Sequence, residues 1–176
     1  MDNEAIEHGA RDFIVKTFQA DRILATLRKM ESPITAILNA VLTSIHELVP
    51  IEIEKSCTIS APLVQIDHGV LVGLIGIIKG SLFIVGEQVT FSKTGLVTHG
   101  VELLGDMLES FVGEFGNSVA GHTTTRLYHQ GITIDIAPPT IIQGQVKFGG
   151  FLMAIQVPFR MPNRWRGQLT LTVEGI

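Results

Sequence analysis

The feature that most constrains the fold is a series of short, β-branched segments joined by tight turns. Residues 69–78 and 81–85 form two such segments, and Lys79-Gly80 between them predicts a hairpin. Strands that follow one another through tight turns pair in an antiparallel manner, so we expect a mostly antiparallel sheet. The other strands predicted for it are a short one beginning at Ile51 and, after Gly131, those at 132–136, 140–148, 151–159 and 167–173.

Apolar residues at helical spacing predict a second layer. Residues 3–30 form one predicted helix, and Ser32-Pro33 is typical of an N-cap followed by a first-turn proline. A separate helix is therefore expected from 34 to 48. Further helices are predicted at 87–98 and 101–128. The sequence thus predicts an α+β fold, a mostly antiparallel sheet with long helices packed on one face.

Composition and charge argue for a compact protein that binds neither nucleic acid nor membrane. Of the 176 residues, 45% are apolar and 17% charged, which is typical of a well-buried domain. The formal net charge is −4, and the scattered Lys and Arg residues form no basic patch. The apolar run 69–78 is shorter than the roughly 20 residues of a membrane helix. With Cys57 as the only cysteine, a cytoplasmic location is expected.

The helix predicted at 101–128 has one face of unusual composition. Successive residues of a helix are rotated by 100° about its axis, and we measure this angle from Glu114. A stripe of polar and small residues lies within about 60° of Glu114. No Lys or Arg occurs between Val101 and Thr125, which is unusual for a solvated face. Apolar residues on the adjoining arc predict the side that faces the core, namely Leu104, Leu108, Phe111, Val112, Phe115 and Val119. The stripe itself contains Ser110, Glu114, Asn117, Ser118 and Gly121.

Three glycines, at positions 113, 116 and 121, interrupt the same helix. Each costs roughly 0.5–1 kcal/mol relative to alanine, so their presence needs a reason. One reason is close packing against the sheet or another helix, which is the commoner cause. The other is the close approach of a second protein to the stripe around Glu114 and Asn117. The sequence leaves both reasons open.

The segment from Ser110 to Gly121, SFVGEFGNSVAG, resembles the active-site helix of the CheC/CheX/FliY family of chemotaxis phosphatases. The family pattern places an Asp or Ser, a Glu and an Asn at the spacing of Ser110, Glu114 and Asn117. A proline follows about two dozen residues later, and Pro138-Pro139 lies about one residue early for it. The order of predicted elements over residues 33–173 also resembles CheX.

The resemblance implies a two-half architecture in which residues 33–176 form the phosphatase domain and residues 1–32 form an N-terminal helical extension. It implies one site per chain, because the equivalent helix keeps Asn39 but has Ala36 where a glutamate would be needed. It further implies a homodimer joined through sheet edges. The expected partner is a phosphorylated CheY-like response regulator, which carries the Mg²⁺, and no cofactor is expected on this chain.

The resemblance also implies roles for the residues of the stripe. Asn117 and Glu114 would be the catalytic residues. The amide of Asn117 can donate and accept hydrogen bonds, so it could orient the attacking water, while Glu114 could dock onto the receiver lysine. The partner-binding surface would comprise Ser110, Gly113, Ser118 and Gly121.

Two less specific interpretations stay open. A Glu and an Asn at helical spacing are, without the family pattern, more often surface residues than catalysts. A binding module on the same fold could use Glu114 and Asn117 to dock to a receiver or a flagellar switch partner without turnover. A metalloenzyme or serine hydrolase is disfavoured, because the sequence lacks HExxH, GxSxG and Walker A patterns, and no metal ligands are expected.

Overall fold

The computed structural model describes the backbone of residues 17–54, 57–59, 63–147, 149–161 and 166–174. Side chains are described for 33–54, 66–147, 149–161 and 166–174. The chain divides into two compact units, Met1–Thr35 and Ala36–Ile176. The predicted division between residues 32 and 33 stays a prediction. Of the predicted N-terminal extension, residues 1–16 lie outside the described part, and residues 17–32 are helical.

Helix α1 (Thr17–Leu48) is continuous and contains Pro33, so the predicted break at Ser32-Pro33 is wrong. A proline inside a helix removes one backbone hydrogen bond and costs about 3 kcal/mol. Strong helix formers on both sides offset this cost, because Leu27 to Met30 precede the proline and Ala36 to Leu38 follow it. The boundary between the two units lies two residues after the proline.

The remaining elements lie in the second unit. Helix α2 (Gln88–His99) closely matches the helix predicted at 87–98. Helix α3 (Asp106–His129) corresponds to the helix predicted at 101–128. The strands are β1 (Glu52–Ile53), β2 (Cys57–Ile59), β3 (Leu63–Gly76), β4 (Gly80–Gly86), β5 (Ile134–Ile136), β6 (Thr140–Lys147), β7 (Phe151–Arg160) and β8 (Arg166–Glu174).

These strands form one sheet in the order β1-β7-β8-β4-β3-β5, with β2 also paired to β7 and β6 to β3. Every pairing is antiparallel, as the tight turns predicted. The β3–β4 turn covers residues 77–79, and Gly80 already lies in β4. A Cβ at Gly80 would lie 1.9 Å from the Thr172 carbonyl oxygen, so the close approach of the neighbouring strand β8 requires glycine at this position.

The helices share one core over one face of the sheet. A small cavity in this core is lined by Ile45 of α1, Phe91 of α2, Phe115 of α3 and Ile84 of β4. Each helix therefore contributes one large apolar side chain to the same region of the core, next to β4. The predicted α+β fold, with long helices packed on one face of an antiparallel sheet, is confirmed.

The start of α3 differs from the prediction. The helix begins at Asp106, and residues 100–105 form a loop bounded by Gly100 (φ 75°) and Gly105 (φ 57°). A positive φ favours glycine at both positions, and the left-handed Gly100 ends α2, while Gly105 lies immediately before α3. Leu104 was expected in the core, but it belongs to this loop and is 64% exposed, while Leu103 is buried in its place.

Candidate functional site

Helix α3 presents the predicted stripe to solvent. Ser110, Glu114 and Asn117 are exposed, and Gly113, Ser118 and Gly121 are partly exposed. The opposite side of the helix is sealed against the core by Leu108, Val112, Phe115, Gly116, Val119, Ala120, Thr123 and Leu127. The structure therefore brings all six predicted site residues to one accessible face.

The side chains of Glu114 and Asn117 are free to meet a partner. Neither takes part in a hydrogen bond or ion pair with any other residue whose placement is described. By contrast, the carboxylate of Glu102, in the loop before this helix, is paired with Lys93 at 2.6 Å. Because the two groups lie one helical turn apart, a single approaching surface can contact both.

The three glycines of α3 have different causes. A Cβ at Gly116 would lie 2.5 Å from Cγ2 of Val70, so this glycine allows the helix to pack closely against β3. A Cβ at Gly113 would make an ordinary contact, 3.6 Å from Cδ1 of Ile141. At Gly121, apart from the neighbouring residues of its own helix, no described residue has an atom within 4 Å of the Cβ position. Packing therefore explains Gly116. At Gly121 packing does not require glycine, and its effect is that no side chain projects from this point of the exposed stripe.

Two residues distant in sequence flank the stripe. On the Asn117 side, Ile141 at the start of β6 lies against Gly113, two residues after the predicted motif proline, Pro139. On the Ser118 side, the ring of His99 lies edge-on to Phe111 with centroids 5.5 Å apart. Sequence reasoning missed both flanks, because they are brought to the helix by the tertiary fold rather than by helical periodicity.

Aromatic packing holds the middle of α3 in place beneath the stripe. Phe115 lies 6.1 Å from Phe91 of α2 in an edge-on arrangement, and 6.0 Å from Phe111. Aromatic pairs of this kind contribute about 0.5–1.5 kcal/mol beyond their buried area. Glu114 and Asn117 therefore project from a helix whose buried side is fixed by the core.

The C-terminal half of α3 is joined to α1 by polar contacts. The Thr123 hydroxyl donates to the Ser44 hydroxyl at 3.4 Å, and the Arg126 guanidinium donates to the Glu47 carboxylate. This hydrogen bond from Arg126 lowers the pKa of the Glu47 carboxyl group. His122 lies 3.9 Å from the same carboxylate and is half exposed, so it belongs to the helix contact rather than to the stripe.

Among the described residues, no group of three or more His, Cys, Asp and Glu side chains could hold a metal ion. Within the same part of the chain, no helix has the length and hydropathy needed to span a membrane.

Comparison with known proteins defines the class. The crystal structure of a CheC-like superfamily protein from a Shewanella species matches with a TM-score of 0.70 at 22% identity, covering 80% of this chain and 98% of that one. The fold is thus CheC-like. Residues 68–147, which include the whole of α3, match the family model described as chemotaxis phosphatase CheX.

Two further relatives refine the comparison. The CheY-P phosphatase CheX of Thermotoga maritima is 26% identical over 148 residues, covering 81% of this chain and 96% of its own. The crystal structure of a CheX–CheY–BeF3–Mg²⁺ complex from Borrelia burgdorferi matches with a TM-score of 0.63 at 25% identity, covering 81% of this chain and 97% of that one. This chain is thus similar to the CheX proteins, in sequence over most of its length and in fold.

Proposed function

We propose that this protein is a phosphatase that hydrolyses the aspartyl phosphate of a CheY-like response regulator. The observation that carries the proposal is the pair of unpartnered side chains, Glu114 and Asn117, exposed one turn apart on a helix fixed from below. The Thermotoga relative that bears the name CheY-P phosphatase supports the same activity. On this proposal the protein acts in the cytoplasm, in two-component signalling.

The reaction needs little from the phosphatase beyond positioning. Water attacks the phosphorus, a new P–O bond forms, and the bond to the aspartate oxygen breaks. The products are the free aspartate carboxylate and inorganic phosphate, which retains the proton lost by the water. Phosphoryl transfer has a loose transition state and does not demand a strong base, so an amide that orients the water is sufficient. Asn117 has this role in the proposal, and the receiver supplies the Mg²⁺.

Glu114 would dock the two proteins. Its carboxylate lies one turn from Asn117 and would pair with the lysine near the acyl phosphate of the receiver, which fixes the register of the amide. The low surface formed by Gly113, Ser118 and Gly121 would let the receiver approach the helix, and Ser110 would add a contact. Gly121 supports this assignment, because no residue in the described part of the chain approaches its Cβ position within 4 Å.

A homodimer joined through sheet edges is part of the proposal. Within the described part of the chain, β6 pairs with β3 alone, and most of its residues are exposed. An unpaired edge is a template for another strand. We expect light scattering to give the mass of a dimer, and we expect Gln143→Pro or Gln145→Pro to shift it to a monomer, because proline is poorly tolerated where a strand pairs with a second one. A monomeric wild type would refute the edge assignment.

The alternative is a non-catalytic module that binds a receiver or a flagellar switch partner through the same residues. It predicts binding without turnover. The deciding experiment measures phosphate release from a phosphorylated CheY-type receiver of the same organism, with and without the protein. Acceleration by the wild type would exclude this alternative, whereas binding without acceleration would establish it.

Variants assign the roles. We expect Asn117→Ala to lose about 10²-fold or more in turnover while it still binds the receiver, and Glu114→Ala to lose both binding and turnover. Asn39→Ala is the matched amide control, because Asn39 is exposed on α1 and has no neighbouring glutamate. Glu109→Ala is the acidic control on α3 itself. Full turnover by Asn117→Ala would contradict the role of the amide.

A further inference from the structure

The exposed apolar residues at the start of α3 form a surface that the active-site motif does not include. Four apolar side chains fall within eleven residues of sequence at the α2–α3 junction. Their exposed fractions are 56% for Val97, 54% for Val101, 64% for Leu104 and 63% for Met107. We call these four residues the apolar shoulder. Scattered exposed hydrophobic residues are ordinary, but a cluster of this kind marks an interaction site.

The conformation of the loop places the apolar shoulder at the surface. Leu103 packs on α2, where a Cβ at Gly95 would lie 2.4 Å from its Cδ1. Glu102 is held to Lys93 of α2 at 2.6 Å. Because residues 102 and 103 are anchored to α2, Leu104 is turned away from the core.

Met107 connects the apolar shoulder with the exposed stripe of α3. Met107 lies two turns before Glu114, at about 20° from it around the helix and about 10 Å along the axis. A protein interface of standard size covers roughly 800 Å² on each partner, a disc about 16 Å in radius. A globular partner centred on Glu114 and Asn117 would therefore also cover Met107.

We propose that the apolar shoulder is a docking surface for the receiver, with Leu104 and Met107 as its anchors. The inference rests on the proposed function, because it takes the same partner. The stripe supplies polar contacts and no large apolar side chain, whereas interface affinity resides mainly in buried apolar and aromatic anchors. The lack of Lys and Arg from Val101 to Thr125 suits a partner face that carries a lysine.

The test is the double variant Leu104→Ser/Met107→Ser. Its matched control is Ile75→Ser/Ile77→Ser, because these two residues are 53% and 63% exposed. They lie by the β3–β4 turn beside β5, near the C-terminal end of α3. The helix is about 36 Å long and the apolar shoulder lies at its N-terminal end, so the control residues are remote from the shoulder. Thermal unfolding checks that both variants fold, and light scattering checks that neither changes the oligomeric state.

Calorimetry measures binding to a CheY-type receiver loaded with beryllofluoride and Mg²⁺. Turnover is measured as phosphate release from the phosphorylated receiver. We expect Leu104→Ser/Met107→Ser to weaken binding at least tenfold, about 1.4 kcal/mol, with the rate at saturating receiver within twofold of wild type. The control should leave both unchanged. Equal binding by wild type and the shoulder variant, or a shoulder variant that only dissociates a dimer, would overturn the inference.

The two proposals fail in different ways. If the wild type binds the loaded receiver without turnover and the shoulder variant binds more weakly, the phosphatase proposal fails and the docking surface stands. If the wild type turns over and the shoulder variant is as active at low receiver concentration, the docking surface fails and the phosphatase stands. If the wild type neither binds nor dephosphorylates any receiver of its organism, both fail.

Discussion

Alanine substitution at two glycines of the same helix should change stability in opposite directions. Gly116 and Gly121 both lie within α3, so each gains about 1 kcal/mol of helix propensity when replaced by alanine. At Gly121 no atom opposes the new methyl group. We therefore expect Gly121→Ala to stabilise the protein by about 0.5–1 kcal/mol.

At Gly116 the same methyl group would meet Val70, a residue with 1% exposure on the strand β3. The distances would be 2.5 Å to Cγ2, 2.7 Å to Cγ1 and 3.1 Å to Cβ. Rotation of Val70 cannot relieve this overlap, because both methyl groups and the Cβ itself are close. Overpacking of a core costs about 1–3 kcal/mol, and two contacts below 3.0 Å put this site in the upper part of that range. After the gain of about 1 kcal/mol in propensity, Gly116→Ala should be destabilising by about 1–2 kcal/mol.

The assay is urea unfolding followed by circular dichroism, with the melting temperature as a second reading. The expected gap of about 1.5–3 kcal/mol between the two variants corresponds to roughly 3–12 °C in melting temperature for a chain of this size. In a Val70→Ala background the Gly116→Ala change should no longer destabilise, since the methyl groups it meets are gone. A Gly116→Ala protein as stable as wild type would refute the packing explanation.

Three further substitutions should change the stability of the protein. Gly80→Ala should destabilise by about 3 kcal/mol or more in urea unfolding, because the new Cβ would lie 1.9 Å from a backbone oxygen that β8 cannot withdraw. Gly100→Ala should cost about 1 kcal/mol by the same assay, since the residue ends α2 at φ 75°. Glu47→Gln should lower stability at neutral pH but not in acid: the folded-state pKa of Glu47 is lowered, so its contribution is present above the unfolded pKa and is lost as the pH falls through the folded one. Unfolding of both proteins at a series of pH values checks this, and a difference that persists unchanged in acid would contradict it.

The parts of the fold that could be predicted depend on local pattern. The strands of 81–85, 140–147 and 151–159 follow from β-branched runs and turns, and the exposed stripe of α3 follows from helical periodicity. The first half of β3 was missed, because Gln65, Asp67 and His68 interrupt its apolar pattern. This half of β3 is a strand because it pairs with β6, and the pairing continues across a bulge between Ile66 and Gly69.

The parts that could not be predicted depend on contacts distant in sequence. The helical spacing of Ser110, Glu114 and Asn117 is visible in the sequence. That no described residue forms a hydrogen bond or ion pair with their side chains is a property of the fold. The need for glycine at position 116 is also a property of the fold, because it depends on the contact with Val70 of β3. Leu104 was misplaced because one glycine, at position 105, moves the start of the helix by five residues.

The glycines of α3 separate the requirements of folding from those of binding. Packing against β3 requires Gly116, and a residue with a Cβ there would lift the helix from the sheet and displace Glu114 and Asn117 together. No such requirement acts on Gly121, so the helix is less stable than it could be at a position where only an approaching partner would notice a methyl group. The substitution that stabilises the free protein at Gly121 should therefore weaken the proposed complex with a receiver. Such an opposition between stability and binding is expected of a docking surface and not of a core.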